Sequence, residues 1–124
     1  MGIDPDGDLW ISAVKYRNKP TIALGLKFAS SREADRYLEL KLLERAGHIS
    51  DVRLQPAFVL APAARLGPSK RLKPALRYVA DFSYSEKGSP ETIVEDVKGV
   101  ETAVFRIKRH LMMTVHGIDL RIVK

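Results

Sequence analysis

The chain has 124 residues, 45% of them hydrophobic, enough for one domain with a buried core. It has no cysteine, which excludes a disulfide framework and a thiolate metal site, and no apolar run long enough to span a bilayer. Net charge is +6, from 21 Lys and Arg against 15 Asp and Glu, a balance that favours a polyanionic partner. The first residues lack the apolar core of a signal peptide, so the expected address is cytoplasmic, with no membrane contact.

Residues 1–14, with Gly, Pro and three Asp, read as a flexible lead to a single domain over 15–124. Lys15, Tyr16, Arg17 and Lys19 set cations around an aromatic ring, which suits phosphate contact and stacking. A solvated charge run has the same look. Residues 21–28 read as a short hairpin around Gly25. Ser30 with Glu33 three residues on is a capping box, and the helix it opens carries a broad apolar band until Gly47. That breadth predicts packing on more than one side. Glu33 shares a row with Tyr37 and Leu40, so its carboxylate flanks the buried band. The capping box alone is enough to explain it.

Residues 51–60 alternate and then turn apolar, a strand in which Pro56 predicts an edge or a bulge. Residues 61–75 hold three Pro and a Gly with Arg65, Lys70, Arg71 and Lys73, and read as a basic loop. Such a loop could grip a phosphate backbone or merely aid solubility. Strands follow at 76–84 and 91–98, then a helix over 102–116 closed by Gly117. Val104, Ile107, Leu111 and Val115, widened by Phe105 and Met112, form its expected buried stripe. Lys108 falls within that stripe, where it snorkels outward or reaches toward nearby carboxylates. A last strand covers 118–123. His48, His110 and His116 lack metal-ligand spacing.

Strand–helix–strand at the end implies a parallel pair, and the three preceding strands can form an antiparallel meander. The expected fold is α/β, a mixed sheet flanked by helices in the order αβββαβ, preceded by a short N-terminal hairpin. In the strand over 76–84, Tyr78, Ala80, Phe82 and Tyr84 share one face, and Val79, Asp81 and Ser83 the other. In the next, Val94, Asp96 and Lys98 share one face, and Ile93, Glu95 and Val97 the other. With neighbouring strands in register, Asp81, Asp96 and Lys98 converge. Two buried carboxylates repel, by about 4 kcal/mol at 4 Å and an effective dielectric of about 20. A divalent cation would relieve that; ion pairing with Lys98 and nearby arginines is the alternative.

The order αβββαβ, with an acid in the second strand and Asp96-Val97-Lys98 in the third, resembles the PD-(D/E)xK nuclease superfamily, whose fold is restriction-endonuclease-like. Asp81 matches the first acid, Asp96 and Lys98 the (D/E)xK half, and Glu33 the glutamate many members carry on the first core helix. Ala80 stands where the namesake has Pro. The segments YRNKPT, RYLELKLLERAG, YVADFSY and VEDVKG resemble, more closely, a family of short phage and prophage proteins of unassigned function, regarded as Holliday-junction-resolvase-like endonucleases. The resemblance implies a Mg²⁺-dependent endodeoxyribonuclease, with Mn²⁺ able to substitute and no small-molecule cofactor. It implies DNA as the partner, branched phage DNA in particular, a homodimer, and a bacterial host cell as the setting. Asp81, Asp96 and the Val97 carbonyl would bind the metal, and Glu33 a second cation or a metal-held water. Lys98 would orient the attacking water and stabilise developing charge. Glu95, by strand phase, should face away from Asp96. A DNA-binding protein that keeps the fold without catalysis is the rival expectation.

Overall fold

The computed structural model describes residues 21–124, and the backbone of two short strands, β1 (Gly2–Ile3) and β2 (Leu9–Trp10). The expected hairpin forms as β3 (Thr21–Ala23) and β4 (Leu26–Phe28). Leu24 and Gly25 both have positive φ, 50° and 78°, the backbone twist that two-residue hairpin turns require. With β1 and β2 these strands make a four-stranded sheet in the order β1-β2-β4-β3. Lys15, Tyr16, Arg17 and Lys19, and most of the expected flexible lead, lie outside the described residues.

Helix α1 (Ser31–Arg45) starts where the capping signal puts it: the Ser30 side chain accepts from the Glu33 N–H at 3.2 Å. Its buried residues are Glu33, Ala34, Tyr37 and Leu40, a single stripe. Through it the helix packs against both the β3–β4 hairpin and the strands over 49–54 and 92–97, more than one side, as the broad apolar band predicts. Leu38 and Leu42 stay exposed and line an open groove of about 600 Å³ with Leu24, Lys41, Glu44 and Arg45.

The middle of the chain is one long bent ribbon. Strands β5 (Ile49–Leu54), β6 (Ala57–Ala61) and β7 (Ala64–Leu66) run out. Strands β8 (Arg71–Lys73), β9 (Leu76–Val79) and β10 (Phe82–Glu86) run back. The pairs are β7 with β8, β6 with β9 and β5 with β10, all antiparallel. The segment over 61–75 is thus not a loop. Its prolines sit at strand junctions, at positions 62, 68 and 74, where no ladder N–H is needed.

β11 (Thr92–Val97) pairs antiparallel with β10. After α2 (Ala103–His116), β12 (Arg121–Val123) returns parallel to β11. The Lys98 N–H donates to the Val123 carbonyl at 2.9 Å and prolongs that pairing. The central sheet therefore has the order β12-β11-β10-β5 and is mixed, an α/β architecture; its strands and the two helices follow αβββαβ, but β6 to β9 intervene between β5 and β10, so the expected single strands over 51–60 and 76–84 are each divided in two. Alternation along β11 shows that the helices cover opposite faces. Ile93 and Val97 pack in the cluster containing Ala34, Tyr37 and Leu40 of α1, while Val94 packs with Phe105 and Met112 of α2.

Helix α2 is capped by Thr102, whose hydroxyl accepts from the Phe105 N–H, and closed by Gly117 at φ 69°. Its rotation differs from expectation. Phe105 and Met112 are buried, whereas Val104 and Ile107 are each 61% exposed and Val115 is half-exposed. Phe105 and Met112, seven residues apart on one stripe, reach Tyr78, Val94 and Leu120. No helix among the described residues is long and apolar enough to cross a membrane.

Candidate active site

The site forms where the long ribbon bends. Pro56 has no N–H to give to a ladder, and Gln55 before it adopts φ 50°. On the facing strand, Ala80 and Asp81 drop out of the pairing. Three backbone bonds fix the bend. Gln55 N–H donates to the Asp81 carbonyl at 3.0 Å, Ala80 N–H to the Pro56 carbonyl at 3.0 Å, and Asp81 N–H to the Glu95 carbonyl at 3.2 Å.

The bend breaks the two-residue alternation. Tyr78 and Ala80 pack on the α2 side, while Phe82 and Tyr84 pack on the α1 side. The expectation that all four share one face is wrong: both strands leave the ladder together, Gln55-Pro56 opposite Ala80-Asp81, and the side chains change faces across the bend although the register is kept. Asp81 sits at that bend. Its Oδ2 accepts from the Val97 N–H at 2.8 Å, and its carboxyl is hydrogen-bonded to that of Asp96. Asp96 arrives from regular strand β11. Both are buried, 5% and 1% exposed. The structure thus brings together the two aspartates from elements 15 residues apart in the chain.

Lys98 completes the cluster. Its Nζ lies 3.8 Å from Asp96 Oδ2 and 4.8 Å above the Phe105 ring, with the side chain 17% exposed. A cation over an aromatic face is favourable, so Phe105 holds the ammonium beside the acids. Glu33, buried on the first turn of α1, adds negative field at Asp81. Burial first, then the hydrogen bond and charge of Asp96, then the charge of Glu33, push the Asp81 carboxyl up to about 9. The Val97 N–H opposes this. At neutral pH the aspartate pair therefore keeps one proton.

Two residues were missed by reading the sequence. Tyr78, buried, donates its hydroxyl to Asp96 Oδ2. Burial, and then the adjacent Asp96 charge, raise its phenol and keep it a neutral donor. A Tyr on an apolar strand face needs a partner for its hydroxyl, which is the signal that could have found it. Gln55 has its side-chain oxygen buried with no partner among the described residues.

Glu95 faces the other side of the sheet, as its strand phase predicts. It is fully buried, gripped by Arg36 at 2.6 and 2.9 Å and by the Tyr84 hydroxyl at 2.7 Å. Arg121 in turn donates to the Tyr84 hydroxyl at 3.2 Å. Lys108 is half-buried on α2 and forms no ion pair with Asp81 or Asp96. Lys70, Arg71 and Lys73 are exposed on the β7–β8 hairpin, apart from this cluster. Among the described residues no three His, Cys, Asp or Glu side chains are grouped to hold one metal ion. Of the acids expected at the site, Asp81 and Asp96 are the pair in direct contact.

No curated protein and no solved structure matches the chain. A family match covers residues 13–123 and is described as a protein of unknown function, DUF1064; the chain belongs to that family.

Proposed function

We propose that the protein is a divalent-metal-dependent endonuclease that hydrolyses DNA phosphodiester bonds, built on a restriction-endonuclease-like version of the mixed α/β fold. One observation carries the reading: two buried aspartates lie in contact beside a lysine, and one carboxyl is pushed up to about 9 by burial and by the other. Clusters of this kind are characteristic of functional sites. The donors suit a hard cation such as Mg²⁺ or Mn²⁺, because all are oxygens. Asp81 and Asp96 would hold the ion with the Val97 carbonyl, and Glu33 would reach it through a water or a second ion. Bound there, the ion supplies charge compensation at the phosphate and a more acidic water.

The chain's own groups do the rest. Asp81 would release the shared proton to solvent if a cation were bound. Tyr78 pins Oδ2 of Asp96 and so fixes the orientation of that carboxylate. Lys98, held by Phe105, donates to the attacking water and to the phosphate oxygens. The resemblance to junction-resolving phage proteins makes branched DNA the first substrate to test, and a homodimer would supply the two sites that paired cuts need. A second reading has its own support. An aspartate pair that shares a proton is electrostatically satisfied without an ion, which is what a DNA-binding protein that never hydrolyses would keep.

Incubation with junction, duplex, flap, single-stranded DNA and RNA, with Mg²⁺ or Mn²⁺, separates the two. Hydrolysis predicts a DNA product only with the ion. Lys98→Met should then fall by roughly 100- to 1,000-fold, the usual loss of one transition-state donor. No ion-dependent product on any substrate, or full activity in Lys98→Met, would sink the reading. Tyr78→Phe should weaken Mn²⁺ affinity by about tenfold or more, since the partner of a ligand orients it. Calorimetry checks that value.

A further inference from the structure

The end of the long ribbon, β7 with β8, is an arm. Its register is Ala64↔Lys73, Arg65↔Leu72 and Leu66↔Arg71, and all six residues are exposed, on both faces. The tip is tied by Lys70 N–H to the Gly67 carbonyl at 3.1 Å and by Arg65 to the Lys70 carbonyl at 3.2 Å. A bare two-stranded ribbon is marginally stable in water, and this one leaves Leu66 and Leu72 uncovered. Its charge is one-sided. Residues 57–80 contain Arg65, Lys70, Arg71, Lys73 and Arg77 and no acid. That stretch holds all but one of the chain's net positive charges.

We propose that this arm lies in the major groove of duplex DNA and is the chain's grip on double-stranded substrate. The charge identifies a polyanion: a run of cations without a single acid gains affinity by releasing counterions from phosphates. The shape identifies a duplex, because the major groove admits a two-stranded ribbon. The composition excludes a single strand as the fitted partner. Single-strand grooves rely on aromatic side chains for stacking, and residues 59–77 contain none. Direct cross-strand partners share a face, so Arg71 and Lys73 lie on one face with Leu66. That face enters the groove. The arm continues through β9 into the bend that carries Asp81, so a duplex gripped there is tied to the candidate active site by one strand.

The inference rests on nucleic acid being the substrate of the proposed nuclease, but not on hydrolysis. Fluorescence anisotropy with a short labelled duplex and the matching single strand, in EDTA, tests it. Lys70→Gln/Arg71→Gln/Lys73→Gln removes three exposed cations of the arm. Arg45→Gln/Arg53→Gln/Lys87→Gln removes three exposed cations elsewhere. The wild type should prefer the duplex. The arm variant should lose at least about tenfold in duplex affinity, with the log–log salt slope falling by about 2 to 3. The control should lose under about threefold, and both variants should keep the wild-type melting temperature. Equal losses in the two variants, no loss in the arm variant, or preference for the single strand would overturn the arm. Arm-dependent duplex binding without ion-dependent cleavage would overturn hydrolysis and leave the arm standing.

Discussion

Asp81→Asn is expected to abolish ion-dependent cleavage and, in EDTA, to make the protein more stable. Asn keeps an oxygen for the Val97 N–H and an N–H for Asp96, the two bonds of the protonated acid. It cannot compensate a cation. The stability gain follows from proton linkage. The folded carboxyl is pushed up to about 9, far above the unfolded value of about 3.9. A raised folded value means that the stabilisation is complete below the unfolded value and is lost as pH climbs toward the folded one. Over roughly pH 4 to 9 the wild type therefore weakens with rising pH through this group. Asp96, Glu33 and Tyr78 face it, with Lys98 beside Asp96, and the two neighbouring acids raise it further. Asn is neutral throughout. The variant should gain about 1–3 kcal/mol at pH 7 and nothing near pH 4. Urea denaturation at several pH values checks both numbers. A variant that is less stable than wild type at pH 7 would contradict the electrostatic description.

Arg36→Met is expected to be the most damaging single change to the fold. Glu95 is fully buried, and Arg36 supplies two of its hydrogen bonds. Proximity to Glu95 holds the Arg36 guanidinium well above its usual range. Removing one partner leaves a charge in the core, which costs about 3–5 kcal/mol. The Tyr84 hydroxyl remains to Glu95, so the lower end applies. The double variant Arg36→Met/Glu95→Met leaves no buried charge and should recover much of the loss. Equilibrium unfolding of the three proteins measures it. The consequence reaches the candidate site, because Arg36 lies one turn from Glu33 on α1. The pair bolts that helix to β11 and sets where Glu33 stands relative to Asp81.

What could be read from the sequence was local. Ser30 announced a helix start because a hydroxyl satisfies orphan N–H groups within three residues. Gly25 and Gly117 marked a turn and a stop through positive φ. Along regular β11, alternation placed Asp96 and Glu95 on opposite faces. What could not be read depended on a neighbour distant in sequence. The bend at Asp81 is set by Gln55 and Pro56 on the facing strand. The rotation of α2 is set by the gap into which Phe105 and Met112 fit. The β7–β8 arm, rich in proline, reads as a loop until its cross-strand partners are known. Convergence of Asp81 with Asp96 was anticipated from two regular strands, yet the structure achieves it through an irregularity.

A calorimetric titration of Mn²⁺ at pH 7 tests the central claim most directly, run in buffers of different ionisation enthalpy. If Asp81 and Asp96 bind a cation, uptake must displace the proton they share, since ligating carboxylates are deprotonated. The expected result is saturable binding with about one proton released per ion, and loss of both in Asp81→Asn. No uptake, or uptake that releases no proton and survives in Asp81→Asn, would contradict it.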